Sequence, residues 1–271
     1  MPESAIRPWL VLSWEGRVPS TVIAALAVTF VIVAGGVSSA RAAAGARTPK
    51  HLTGRGSSAN WSGYAIDGTG ATQAIGTWTE PAVTCAPGEN SWSSPWVGID
   101  GDTSNPVEQT GTDSDCVRGR AVYYAWYELY PKSLVKLSMA VHPGDSLTAM
   151  VTYAGGTSFA LRLTDNTTKA SFTTTQSDRQ ATRTSVEWIM EGPASGILSD
   201  FGSVAFSAAS ATIGGQTAGL GAFAAAHPIT MVSSAGTVRA QPSPLSSNAF
   251  SVTWVQQVSR LRPGRKAPGH A

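Results

Sequence analysis

Thr184-Ser185-Val186-Glu187-Trp188-Ile189-Met190-Glu191 is the stretch on which the fold turns. Its β-branched and aromatic residues, in alternation, predict a strand. Side chains two apart share a face. Ser185, Glu187, Ile189 and Glu191 therefore point one way, and Val186, Trp188 and Met190 the other. Glu is depleted in strands, and burying its charge is costly. A carboxyl group in such a place either lies on the wet face of an antiparallel sheet or is desolvated for work as a general acid or base. Both readings of Glu187 stand at this point.

Working outward, 121–130 repeats the pattern. Tyr124, Trp126, Glu128 and Tyr130 share one face, and Tyr123, Ala125, Tyr127 and Leu129 the other. An aromatic row interrupted by one carboxylate suits a substrate groove; an aromatic core with Glu128 at its rim is the alternative. Further alternating runs lie at 61–66, 74–79, 95–99, 134–141, 146–153, 159–164, 202–209, 228–232 and 250–255. Most end at turn residues such as Asp67-Gly68, Glu80-Pro81 and Pro143-Gly144-Asp145. Strands so spaced predict an all-β sandwich or barrel. No segment reads as a long capped amphipathic helix, and no repeat or internal domain break is visible.

Composition agrees: 13% charged residues, 42% hydrophobic residues and 28 Gly suit short strands and turns. Arg7 and Arg17 precede an apolar run at 22–34, and Ala40-Arg41-Ala42 fits an A-x-A cleavage site. The run falls short of the roughly 20 residues a span needs. Residues 1–42 are therefore expected to be an export signal, with a retained anchor as the alternative. Residues 43–56 read as a short linker or pro-segment. Without residues 1–42, which hold Arg7, Arg17, Arg41, Glu3 and Glu15, 16 basic and 15 acidic residues remain. Four of the positives, Arg260, Arg262, Arg265 and Lys266, lie in the tail 259–271, read as a disordered end. This is no nucleic-acid-binding profile. In an exported protein the two cysteines, Cys85 and Cys116, predict one disulfide.

The chemistry narrows by elimination. There is no G-x-S-x-G elbow and no H-E-x-x-H. His51, His142, His227 and His270 stand in no nucleophile-like context, and two Cys with scattered His predict no metal site. Asp100, Asp102 and Ser104 alternate like part of a calcium loop, but the required Gly and closing Glu are missing, so a turn is expected. What remains is carboxylate chemistry at Glu187, with Gln109 as a polar residue in a strand-to-turn segment at 106–113. A fixed amide N–H can hold a developing oxyanion; a surface glutamine is the plainer reading.

Taken in order, these blocks resemble the glutamic peptidases, or eqolisins, as a bacterial-type member. The matching blocks are Asn60-Trp61-Ser62-Gly63-Tyr64, Gly76-Thr77-Trp78, Trp96-Val97-Gly98-Ile99-Asp100-Gly101 and Gln109-Thr110-Gly111. They continue with Ala125-Trp126-Tyr127-Glu128, Tyr130-Pro131, Gly144-Asp145, Glu187-Trp188-Ile189 with Glu191, and Phe201-Gly202-Ser203-Val204. The resemblance implies a lectin-like sandwich of two antiparallel sheets over 57–258, with a groove on the concave sheet. It implies a secreted, acid-acting, pepstatin-insensitive endopeptidase that is monomeric, needs no cofactor, acts on polypeptides and leaves the membrane once its signal is removed. It implies catalysis by Glu187 and Gln109, with Trp96, Asp100, Trp126 and Glu128 lining or supporting the groove. Tyr124 departs from the fungal pattern, which carries an acid there, so substrate preference is expected to differ.

Two other classes remain open at this stage. One is a lectin-like carbohydrate binder. The other is a glycoside hydrolase with Glu187 and Glu128 as its acid pair. A lectin needs neither Glu187 nor Gln109, and a glycosidase has no use for that glutamine.

Overall fold

Alternation becomes strand through most of the chain. The computed structural model describes residues 52–54, 56–193 and 196–255. In chain order the first strands are β1 (Leu52–Gly54), β2 (Ser57–Ser58), β3 (Trp61–Asp67), β4 (Gln73–Thr79), β5 (Ser94–Ile99) and β6 (Val107–Val117). Next come β7 (Arg120–Tyr130), β8 (Val135–Lys136), β9 (Ser146–Gly155), β10 (Ser158–Asp165), β11 (Ser171–Ser177) and β12 (Ser185–Glu191). The last are β13 (Ser203–Ile213), β14 (Gln216–Gly219), β15 (Ala226–Val232), β16 (Val238–Pro242) and β17 (Phe250–Trp254). One 3-10 turn, Leu220–Ala222, is the single helical element among the described residues.

One sheet runs β15–β3–β12–β5–β6–β7–β8. The other runs β11–β10–β9–β4–β13, and continues through β17 and β16. β15 belongs to both, pairing with β3 through Ile229 and with β2 and β16 beyond it. Among the described strand pairs only the short β2–β15 pair is parallel, besides an isolated parallel bridge between Trp92 and Leu198. The all-β sandwich predicted from strand spacing is what the chain forms.

The core lies between the sheets. Trp78, Leu147, Phe159 and Phe206 of one sheet face Val97, Ala125, Val186 and Trp188 of the other. Each of the larger of these side chains contributes roughly 1.5–3 kcal/mol by leaving water. Trp188 matters most to the site. Its indole N–H donates to the Ile75 carbonyl at 2.6 Å. A Cβ on Gly76 would stand 2.6 Å from its Cδ1, so only glycine lets the ring lie against β4. β12 is thus pinned from behind, and Glu187 is held on the opposite face.

Two expectations are corrected. Residues 134–141 were expected as one strand, but pairing is confined to Val135–Lys136. Leu137 donates its N–H to the Ala125 carbonyl, and Leu137 and Val141 then turn into the core as irregular chain. The segment around Gln109 is no turn but the first part of an 11-residue strand. Its core-facing side carries Glu108, Thr110, Thr112 and Ser114, all buried, so the usual apolar alternation is missing.

Those polar residues surround buried acids. Glu80 accepts from Thr112 Oγ1 at 2.5 Å, Ser114 Oγ at 2.6 Å and Trp78 Nε1 at 3.3 Å. Burial nevertheless pushes its carboxyl up to about 7, with Asp113 adding repulsion. Burial, reinforced by Asp100 and Asp178, pushes Glu108 up to about 10. Both groups hold protons in the folded state that the unfolded chain releases above its ordinary carboxyl range. Stability is therefore greatest in acid and falls as pH rises from about 4.5 towards 7 for Glu80 and further for Glu108. For Glu80 the loss is of the order of 3 kcal/mol. Denaturant midpoints measured from pH 4 to 7 are expected to fall, and Glu80→Gln to flatten that fall. A midpoint that rises over this range would contradict the placement of these acids.

Cys85 and Cys116 are joined, as the cysteine count predicts, and the bridge ties the loop after β4 to the end of β6. Closing a loop with a separation of 31 contributes about 4 kcal/mol in the chain-entropy model. Cys85→Ser/Cys116→Ser should lose stability of that order, read by urea titration against the oxidised protein. No loss would mean the bridge constrains nothing. The expected signal at 1–42, most of the linker and the tail at 259–271 lie outside the described residues. No described helix is long and apolar enough to cross a membrane.

Candidate active site

Strand register gathers the chemistry into one line. Glu187 on β12 stands opposite Gly98 on β5, Gly98 opposite Gln109 on β6, and Gln109 opposite Glu128 on β7. In the other direction Glu187 stands opposite Ala65 on β3, and Ala65 opposite His227 on β15. Residues paired across strands project from the same face. This is the face turned away from the main core. The next row holds Ile189, Trp96, Gly111 and Trp126. Trp61, Trp96, Trp126, Tyr124 and Ile189 form a second apolar cluster on this side.

Gly98 is the gap in the line. A Cβ there would meet the Trp96 ring at 3.0 Å, the Glu108 carbonyl at 3.1 Å and Gln109 Cβ at 3.2 Å. Strands lie about 4.8 Å apart, so Glu187 and Gln109 flank a space roughly 10 Å across between their backbones. With glycine between them, no side chain of β5 stands between the acid and the amide, and the edge of the Trp96 ring comes close to that position instead.

The carboxamide of Gln109 is oriented by Glu128. Its Nε2 donates to Glu128 Oε2 at 2.8 Å. An NH₂ group has two donors, so one N–H remains for another acceptor. Its Oε1 is buried and has no partner among the described residues. Glu187 accepts a hydrogen bond at Oε1 from the main-chain N–H of Asp102 at 3.3 Å. Glu187, Gln109 and Glu128 are 0%, 3% and 4% exposed; the wet-face reading of Glu187 is therefore set aside.

Asp102 lies in the turn between β5 and β6. Asp100 and Gly101 take positive φ there, 69° and 114°. Such values are strained for a non-glycine residue, and Asp100 is held in place by its carboxylate. That group accepts from the N–H groups of Thr182, Arg183 and Thr184 at 2.7–2.8 Å, and from the Thr182 hydroxyl at 2.7 Å. The turn is thereby tied to the segment leading into β12, the strand of Glu187.

The other expected groove residues also have protein partners. Trp96 Nε1 donates to Glu191 Oε2 at 2.9 Å, and Asn60 holds the other oxygen at 3.3 Å. Trp61 packs edge-on against Trp96, with centroids 4.9 Å apart. Trp126 lies beneath Gly111, whose missing side chain gives it room. Tyr124 donates to Asp113, and the Lys136 ammonium sits 4.2 Å over its ring.

Sequence reasoning missed three members of the site: Gly98 as the gap, Asp102 as a main-chain donor, and His227. His227 Nε2 lies 3.0 Å from Asp102 Oδ2. Nothing local to Ala226-His227-Pro228 signals this, because the partner is 125 residues away. With Asp67, the pair brings possible ligand atoms within 4.8 Å of one another. The His227–Asp102 contact is itself an ion pair in length.

Comparison with known proteins converges on one group. Residues 59–254 match the model of the Peptidase A4 family. The chain is 35% identical over 189 residues to Aspergillopepsin-2 of Aspergillus niger, covering 60% of this chain and 67% of that protein. It is 33% identical over 138 residues to Scytalidopepsin B of Scytalidium lignicola, covering 49% of this chain and 51% of that protein. Among solved structures, Scytalido-glutamic peptidase with a peptide-based transition state analog superposes with a TM-score of 0.62 at 25% identity, covering 72% of this chain and 98% of that one. Aspergilloglutamic peptidase from Aspergillus niger gives 0.54 at 35% identity, covering 60% and 99%. The chain belongs to the Peptidase A4 family and is a glutamic endopeptidase.

Proposed function

We propose that this enzyme hydrolyses peptide bonds by direct attack of water, with Glu187 as general base and then general acid, and Gln109 as oxyanion donor. The observation that carries the reading is the row Glu187–Gly98–Gln109–Glu128, in which an acid and an amide face each other across a glycine. Water over Gly98 gives a proton to the Glu187 carboxylate as its oxygen bonds to the scissile carbonyl carbon. The carbonyl oxygen becomes an oxyanion and accepts the Gln109 N–H not engaged by Glu128. Glu187 then returns the proton to the amide nitrogen, the C–N bond breaks, and an acid and an amine leave. Glutamate can run both halves of this cycle, and glutamine can donate without competing for the proton.

Glu128 orients Gln109, and Asp100 supports the turn beneath Glu187. Trp96 and Trp126, both fully buried in the second apolar cluster, brace the site from within the sheet face. Acid activity is part of the proposal, as are export directed by residues 1–42 and action as a monomer. The glycosidase reading fares worse. Glu187 and Glu128 are three strands apart, roughly 14 Å between backbones, and Glu128 is tied to Gln109.

The test is cleavage of a denatured protein between pH 2 and 8, with and without pepstatin. Activity greatest in acid and indifferent to pepstatin is expected. Activity only at pH 7–8, or none on any polypeptide, would overturn the reading.

A further inference from the structure

The contact between His227 and Asp102 adjoins the acid of the proposed mechanism through the Asp102 main chain, and its geometry is specific. His227 Nε2 is 3.0 Å from Asp102 Oδ2, and its Nδ1 is 3.1 Å from the Ala225 carbonyl oxygen. Both ring nitrogens thus face acceptors. A neutral imidazole has one N–H and leaves one acceptor facing a lone pair, whereas the imidazolium donates to both. The side chain of Asp102 is only 4% exposed, and that of His227 31%, so solvent screens the pair little on the Asp102 side.

The main chain of the same residue serves Glu187. Asp102 N–H points at Glu187 Oε1 and Ser185 Oγ, each at 3.3 Å. Asp102 therefore has two ends: its carboxylate is held by β15, and its amide faces the acid on β12. Asp100 anchors one shoulder of the turn through 182–184. The other shoulder is anchored by His227. Between them Ala65, fully buried and with a single methyl, lets the histidine and the turn meet over β3.

We propose that His227 is a positioning residue of the peptidase: through Asp102 it sets the main-chain N–H that holds the carboxyl group of Glu187 in its attacking orientation. The inference rests on the reading of Glu187 as the acid–base residue. His227 touches neither water nor substrate in this account. A donor misaimed by a fraction of an ångström weakens catalysis more than binding, because orientation of the base counts in the transition state.

His227→Ala is expected to lower kcat about tenfold while KM stays within about twofold. His227→Gln keeps an N–H donor at similar reach and should restore kcat to within about threefold of the parent. Combining His227→Ala with Asp102→Asn should cost little more than either alone, since both break one link. Thermal unfolding of each variant is followed alongside. A wild-type kcat in His227→Ala, a Gln variant as impaired as Ala, or additive losses in the double variant would each overturn the proposal. So would equal losses in kcat and in folded fraction. Glu187→Gln run in parallel separates the two failures. If it stays active, the catalytic reading itself is wrong; if it is dead while His227→Ala is wild-type, only the positioning role falls.

Discussion

Glu187→Gln is expected to yield a folded protein that no longer cleaves peptides. The substitution keeps the shape of the side chain and leaves an oxygen to accept from the Asp102 N–H. It removes the proton acceptor. Loss of a general base costs about 10²–10⁴-fold in rate, and here the same group also protonates the leaving amine, so the upper part of that range is expected. Folding should not suffer, because a neutral amide is easier to bury than a carboxylate. The measurement pairs near-UV circular dichroism with digestion of denatured haemoglobin in acid. A folded variant with more than about a tenth of parental activity would remove Glu187 from the mechanism.

Gln109→Ala is the second large effect. An oxyanion donor acts where charge develops, so its loss should lower kcat by about 10²–10³ and leave KM nearly unchanged. The variant also strips Glu128 of its 2.8 Å partner. A buried polar group losing such a bond costs about 1–3 kcal/mol, so a modest drop in stability should accompany the kinetic loss. Steady-state kinetics on a fluorogenic peptide, at a temperature where the variant is fully folded, separates the two. If only KM rises, Gln109 binds substrate and the paired mechanism fails.

What could be read from the sequence depended on how local the signal is. The two faces of β12 and of β7 follow from alternation, and the structure keeps them: Val186, Trp188 and Met190 go to the core, as do Ala125 and Leu129. β11 escaped notice because Ser171-Phe172-Thr173-Thr174-Thr175-Gln176-Ser177 is polar enough to pass for loop; it forms because β10 offers an unbroken ladder. The β6 strand was misread because buried Thr and Ser hydroxyls, bonded to Glu80 and to the Trp126 carbonyl, replace apolar side chains. At the site, Glu187 and Gln109 stood out through motif blocks. Gly98, Asp102 and His227 act through register or through space, and no stretch of neighbouring residues encodes them.

That register carries a consequence for how the enzyme matures. Side chains alternate along a strand, so slipping β12 by one residue against β3 or β5 would turn Glu187 inward and bring Trp188 out. No half-active arrangement exists between these two: the acid is either in line with Gln109 or on the wrong side of the sheet. Molecules recovered from denaturant should therefore fall into two populations, fully competent or inert. A titration of active sites, not an averaged rate, is the way to count them.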